Sequence, residues 1–280
     1  MSELTYASGQ VTRLAEFLRS LYREVRDSNV PFMAGSIAYS AFVSLFPLLL
    51  LGVIAASAIG GEAFARYVVG LVEGYLTPSG QEALIESLTR ANRRAQVSVF
   101  TLVVFLWATL RVFRGLDIAF SILYGTGGKY SLLDQVKDGL IVFTALAVAI
   151  AGMVSLLVFT PGFSNVLPFP FLGALLLVVF LTVVFLPMYY VFPDVDVTVG
   201  EILPGAVVAA VGWAILQQGF QIYVSLSDKV ELYGILGAVL LLITWLYVGA
   251  LIILLGGAVN VVGRETGILA RSQKHQLGDD

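Results

Sequence analysis

The chain has 280 residues, of which 58% are apolar and only 12% charged, with a mean hydropathy of +0.91. An average globular protein carries about 25% charged residues, so a soluble fold of this size could not cover its surface, and the surplus apolar surface must face lipid. A net charge of −3 leaves no basic field for nucleic acid, and the absence of cysteine excludes disulfides, thiolate metal sites, Fe–S clusters and a cysteine nucleophile.

Residues 1–30 lack an apolar core, so no cleavable signal peptide is expected. Within them, Val11, Leu14, Phe17, Leu18, Leu21, Tyr22 and Val25 recur at helical spacing, with Arg13, Arg19, Arg23 and Arg26 on the remaining face. That pattern predicts an amphipathic helix lying in the membrane interface. Asp27, Ser28 and Asn29 then end it.

A transmembrane helix needs about 20 mostly apolar residues. Six stretches meet that length, at 32–59, 97–124, 137–160, 169–192, 200–225 and 234–263. Alternating strands of about ten residues are lacking, so a β-barrel is not expected. The predicted fold is therefore all-α, a polytopic six-helix membrane domain over 31–263. It is followed by a polar cytoplasmic tail at 264–280. Pro47 and Pro187 fall inside spans and are the expected kink points.

The longest connection, 60–96, is predicted to form an extracytoplasmic helical loop. Ala63, Phe64, Tyr67, Val68, Leu71 and Tyr75 give its first piece an apolar face. Ser79 and Glu82, after the break at Pro78, have capping-box spacing for a second piece. It reads either as a lid across the membrane surface or as a solvated helical pair. The two halves of the chain differ in loop length, so an inverted repeat of the transporter type is not evident.

With six spans, one side collects Arg13, Arg19, Arg23, Arg26, Arg111, Arg114, Lys129, Lys137, Arg264, Arg271 and Lys274. The other collects Arg66, Arg90, Arg93, Arg94 and Lys229. The positive-inside rule then puts both termini in the cytoplasm of a plasma-membrane protein.

The polar residues that interrupt the spans are the candidate site. Arg111, Arg114 and Asp117 are spaced by three, nearly on one helix face, where Arg114 and Asp117 can pair. Counted from Gln96 at about 1.5 Å per residue, Arg111 lies about 22 Å into a core about 30 Å thick. Charge at that depth costs at least a few kcal/mol and marks a candidate anion or headgroup site. The alternative is arginines snorkelling to the cytoplasmic interface beside a local carboxylate. Ser36, Ser40 and Ser44, beside Gly35 and Tyr39, read as a polar path or as a small-residue packing face. Gly205, Ala209, Gly212 and Gly219 form a second such face. Gln217 and Gln221 in the same span contact a solute or hydrogen-bond another helix, and Asn260, near the end of the last span, caps or bridges helices.

Two motifs yield to simpler explanations. Gly125-Thr126-Gly127-Gly128-Lys129 resembles a phosphate loop, but Leu123 replaces the required first glycine and Tyr130 the required Ser or Thr. It reads as a turn. Asp194, Asp196 and Glu201 form a carboxylate group, yet Thr198 and Glu201 have capping-box spacing for the fifth span. The single histidine, His275, lies in the tail, which excludes a Ser/His/Asp set in the membrane. No metal, cofactor or catalytic set is expected, and the protein is read as a non-enzyme.

The motifs, taken in order, resemble the YihY/BrkB family of inner-membrane proteins, once labelled ribonuclease BN. The resemblance runs from about residue 15 to 263. It is carried first by Ala34-Gly35-Ser36-Ile37-Ala38-Tyr39 with Ser44-Leu45-Phe46-Pro47, then by Trp107 with Arg111 and Asp117. Further on it is carried by Pro193-Asp194-Val195, Leu203-Pro204-Gly205-Ala206, Trp213, Phe220 and Tyr223. The last pieces are Tyr233-Gly234, Leu236-Gly237-Ala238, Trp245, Tyr247, Leu255-Gly256 and Asn260. The resemblance implies six spans, cytoplasmic termini and residence in the plasma membrane. Relatives often carry basic residues in the loop corresponding to 194–200, where this chain is acidic. The ribonuclease label finds no support in a basic groove or a histidine pair.

The expected function is that of a transporter or lipid-handling protein, with Arg111, Arg114, Asp117, Tyr39, Ser44, Gln217, Gln221 and Asn260 as candidate contacts. The alternative is a non-transporting membrane scaffold in envelope assembly. Membrane lipids are the expected partners, with a homo-oligomer or an envelope protein as further options.

Overall fold

The computed structural model describes residues 2–47, 95–126, 137–148, 151, 170–227 and 234–276. The described residues are helical, with short links and no strand among them. In chain order the helices are α1 (Ser2–Asp27), α2 (Val30–Pro47), α3 (Ala95–Tyr124), α4 (137–148), α5 (Pro170–Val191), α6 (Val199–Ser227) and α7 (Gly234–Gln276).

The all-helical reading holds. Four described segments are long and apolar enough to cross a membrane: Val30–Pro47, Gly173–Val191, Val199–Tyr223 and Val239–Thr266. The expected spans at 97–124 and 137–160 correspond to helix in α3 and in α4, the latter over its first part. The expected lid up to residue 94, the first span beyond Pro47, the glycines 127–128 and Tyr233 lie outside the described residues.

Two helices run further than the apolar pattern predicts. α1 starts at Ser2, and α7 continues through the expected tail to Gln276. At about 1.5 Å per residue, the 43 residues of α7 measure about 65 Å, twice a hydrocarbon core. Past Arg264 the sequence lacks proline and contains Glu265, Leu269, Ala270, Arg271, Gln273 and Lys274, all good helix formers. Nothing local stops the helix where the apolar residues stop.

The helix ends have identifiable chemistry. Asn29 takes a left-handed φ of 52°, and its carbonyl accepts from Phe32 and Met33 to start α2. Ser28 Oγ donates to Glu24 Oε1 at 2.7 Å. Gly125, at φ 67°, ends α3 in a Schellman turn: Thr126 N–H reaches Ser121 O at 3.0 Å and Gly125 N–H reaches Ile122 O at 3.2 Å. This confirms a turn at the first glycine of the false phosphate loop.

Packing divides the chain into two units, Met1–Ala38 with Phe113–Asp280, and Tyr39–Val112. In the first unit α6 packs against both α5 and α7, and α1 packs along α7. Lipid gives apolar helices no hydrophobic reason to associate, so close backbone approach and interhelical hydrogen bonds must hold them. Both meet where α6 and α7 cross. A Cβ at Gly205 would strike Gly256 O and the Asn260 side chain. A Cβ at Gly256 would strike the Tyr189 hydroxyl and Gly205 O. Only glycine fits at either position.

Tyr189 of α5 is fully buried and donates from its hydroxyl to Ile253 O of α7 at 2.6 Å. Around it, Phe120 of α3 meets Tyr189 edge-on at 5.5 Å and Phe192 at 5.9 Å. Further along the same two helices, Trp213 of α6 meets Trp245 of α7 edge-on at 5.2 Å. The opposite faces carry exposed Leu175, Val179, Val183, Val207, Val211, Ile215 and Leu240, a surface suited to lipid.

In the second unit, Phe42 and Phe46 of α2 stack edge-on at 5.5 Å.

Candidate functional site

The candidate residues separate by environment. Arg111 belongs to the second unit. Its side chain is exposed, and its guanidinium carbon sits 5.0 Å from the centre of the Trp107 ring, one turn earlier on α3. Trp107 is itself 57% exposed. The helical spacing of four brings the two together, and the cation–π contact holds the guanidinium against an apolar plate. Among the described residues no carboxylate pairs with it. Among the described residues, the arrangement leaves the N–H fork open to an anion.

Tyr39 and Ser44 are also in this unit. Tyr39 is 62% exposed, whereas Ser44 Oγ donates to Ala41 O at 2.7 Å within its own helix. That bond occupies the serine donor and fits the packing-face reading of the serine stripe.

Arg114 and Asp117 belong to the first unit. The spacing of three allows them to pair, but no ion pair forms. Arg114 is exposed, whereas Asp117 is 3% exposed and its Oδ2 has no hydrogen-bond partner. The helix turns Asp117 inward, with Leu116, Phe120 and Ser121 on the same buried face.

Asn260 is 3% exposed and bridges helices. Its Oδ1 accepts from Gly205 N–H at 2.7 Å, and its Nδ2 donates to Ile202 O at 3.1 Å. The two backbone groups flank Pro204. Proline has no N–H to give the carbonyl four residues back, and its ring crowds that carbonyl. Asn260 supplies both a donor and an acceptor to the α6 backbone beside this interruption. Gln217 and Gln221, in the C-terminal half of α6, are exposed.

The carboxylates after α5 divide as the cap reading predicts. Glu201 Oε2 accepts from Thr198 N–H at 2.9 Å, and Thr198 O accepts from Glu201 N–H at 3.0 Å, which starts α6. Asp194, at a left-handed φ of 50°, and Asp196 line an open cavity of about 720 Å³ with Tyr190, Thr198 and Arg264. No group of three or more potential ligands is placed to hold a metal ion among the described residues. A second cavity, about 390 Å³ and apolar, lies between α6 and α7, lined by Gly212, Ile215, Gly219, Phe220, Tyr223 and Trp245 among others.

Of the residues that carry the resemblance, Pro193, Gly205 and Gly256 are buried, Pro204 and Trp107 are exposed, and Gly237 and Trp245 are intermediate. Gly234 begins α7 and Pro47 is the last described residue of α2. Tyr189 escaped the sequence reading. The available signal was a tyrosine inside an apolar run, whose hydroxyl requires a partner when buried.

Comparison with known proteins gives one family and several relatives. The family model described as virulence factor BrkB matches residues 21–277. The ribonuclease-like protein YfkH of Bacillus subtilis is 26% identical over 268 residues, covering 88% of this chain and 94% of the relative. A UPF0761 membrane protein of Pseudoalteromonas translucida is 26% identical over 250 residues, covering 82% of this chain and 80% of the relative. Another, from Aromatoleum aromaticum, is 24% identical over 273 residues, covering 89% of this chain but 64% of the longer relative. No solved structure matches the chain.

Proposed function

We propose a function for this chain, which belongs to the virulence factor BrkB family and is an integral membrane protein: it binds and moves a lipid or another anionic solute in the plasma membrane. The role is non-catalytic. The observation that carries the proposal is Arg111, an exposed cation seated 5.0 Å over Trp107 on an apolar helix, without a carboxylate partner among the described residues. An arginine at membrane depth is costly unless something anionic, or water, satisfies it. A phosphate or carboxylate headgroup would take two parallel N–H bonds from the guanidinium, while the indole shields the opposite face.

The six-span topology with cytoplasmic termini is part of the proposal. It is supported by the lysine and arginine distribution and by the four described helices that are long and apolar enough to cross a membrane. α1 fits an interfacial position. Leu14, Leu18 and Tyr22 form an exposed apolar stripe, flanked by exposed Arg19, Arg23 and Arg26. Membrane lipids are the proposed partners.

The test is reconstitution of purified protein into liposomes. Labelled anionic lipid or a small anion should cross, and Arg111→Ala should remove the flux.

A scaffold role is the second reading. The observation in its favour is the seam between α6 and α7 at Gly205 and Gly256, where backbones touch and no solute could pass. A scaffold would co-purify with an envelope protein or a second copy, depend on the 60–96 segment, and move nothing in liposomes.

A further inference from the structure

Three apolar segments end around one open cavity of about 720 Å³. Gly173–Val191 of α5 stops at its wall, and Val199–Tyr223 of α6 starts just after Thr198, which lines it. Arg264, also in the wall, lies two residues from the end of Val239–Thr266 in α7. The cavity therefore sits at the edge of the membrane, at the level of lipid headgroups. Tyr190, 56% exposed beside it, is the amphipathic aromatic typical of that level. Opposite charges face this space. Asp194 and Asp196, both exposed, come from the α5–α6 link, and the half-buried Arg264 comes from α7. Among the described residues, neither carboxylate forms an ion pair with Arg264. Glu201, the third acid of this stretch, is turned to its own helix cap, where its Oε2 accepts from Thr198 N–H.

Unlike charges that share a wall without closing on each other suit a ligand that carries both signs. The side chains set the chemistry at each end. Arg264 presents a planar N–H fork that matches phosphate oxygens. The two carboxylates only accept hydrogen bonds, so they select a cation with N–H donors. A primary ammonium has three such donors. A quaternary ammonium has none and is held by several aromatic faces, whereas the cavity wall has Tyr190 alone among the described residues. A metal ion would need more ligands, and the described residues offer no group of three. We propose that this cavity binds a zwitterion with a primary ammonium close to a phosphate, the chemistry of an ethanolamine phosphate headgroup. The phosphate lies on Arg264 and the ammonium on Asp194 and Asp196. This goes beyond the proposed function: it does not involve Arg111, and an absence of flux leaves it standing.

The full-length protein tests it in two arms. In the membrane arm, nanodiscs contain phosphatidylethanolamine and phosphatidylcholine with the same acyl chains, and native mass spectrometry counts the lipid each protein retains. In the soluble arm, glycerophosphoethanolamine and glycerophosphocholine are titrated against protein in phosphatidylcholine nanodiscs, and the unfolding midpoint reports binding. The ethanolamine form should be preferred. Preference in the membrane arm alone makes the ligand a lipid, and preference in the soluble arm makes the free headgroup sufficient. The double variant Asp194→Asn with Asp196→Asn should lower the preference over choline about fivefold, and Arg264→Gln should lower ethanolamine binding by about the same factor. These side chains are exposed or half-buried, so the variants should fold, with helix content by circular dichroism as the check. If one does not, the other carries the test. Equal binding of ethanolamine and choline forms in both arms overturns the proposal. So does a preference unchanged in the aspartate variant, ethanolamine binding unchanged in Arg264→Gln, or a stronger retention of phosphatidylglycerol than of either lipid, which would make the cavity an anion site.

Discussion

Asn260 Oδ1 accepts the backbone N–H of Gly205 at 2.7 Å, across the line where α6 and α7 cross. The same amide donates to Ile202 O at 3.1 Å, so one side chain serves two backbone groups around Pro204. Lipid offers neither group another partner. Asn260→Ala should therefore lower stability by about 1–3 kcal/mol, the cost of leaving buried polar groups unsatisfied. The thermal unfolding midpoint in detergent should fall, and Asn260→Leu, which restores volume but not the bonds, should not recover it.

The glycines on α6 should respond unequally to alanine. At Gly205 the new Cβ meets Gly256 O, a backbone atom that cannot move without separating the helices. Gly205→Ala should cost about 1–3 kcal/mol or more through overpacking. At Gly219 the Cβ meets nothing within 4 Å among the described residues. Gly219→Ala should be neutral or stabilise by up to about 1 kcal/mol through helix propensity. Comparing the unfolding midpoints of the two variants checks this ordering.

Tyr189→Phe removes the hydroxyl that donates to Ile253 O at 2.6 Å and leaves the ring against Phe120. A loss of about 0.5–1.5 kcal/mol is expected. Tyr189→Ala should cost about 3–5 kcal/mol, because the fully buried ring leaves a cavity. The difference between the two midpoints separates the bond from the packing.

The membrane class and most helix positions were legible because both rest on apolar run length. The ends of α1 and α7 were not, because α7 continues through residues whose polarity says nothing against a helix. At the candidate site, spacing identified a face but not its direction. Arg114 and Asp117 satisfy the spacing for a pair, yet the helix exposes one and buries the other. The stripe of Gly205, Gly212 and Gly219 read as one packing face. Contact with backbone at Gly205, with the Ile252 side chain at Gly212 and with nothing at Gly219 distinguishes them, and only tertiary structure supplies that. Asn260 was legible as a bridge, because an amide in an apolar span must find partners.

The most direct test of the account is flux of a labelled anionic phospholipid across liposomes containing purified protein, wild type against Arg111→Ala and Arg111→Lys. Wild type should move the lipid, Arg111→Ala should lose movement, and Arg111→Lys, which keeps the charge but loses the planar fork, should retain part of it. Flux in Arg111→Ala equal to wild type would contradict the assigned role of Arg111. Absence of flux for every lipid and anion tried, with a protein partner retained, would favour the scaffold.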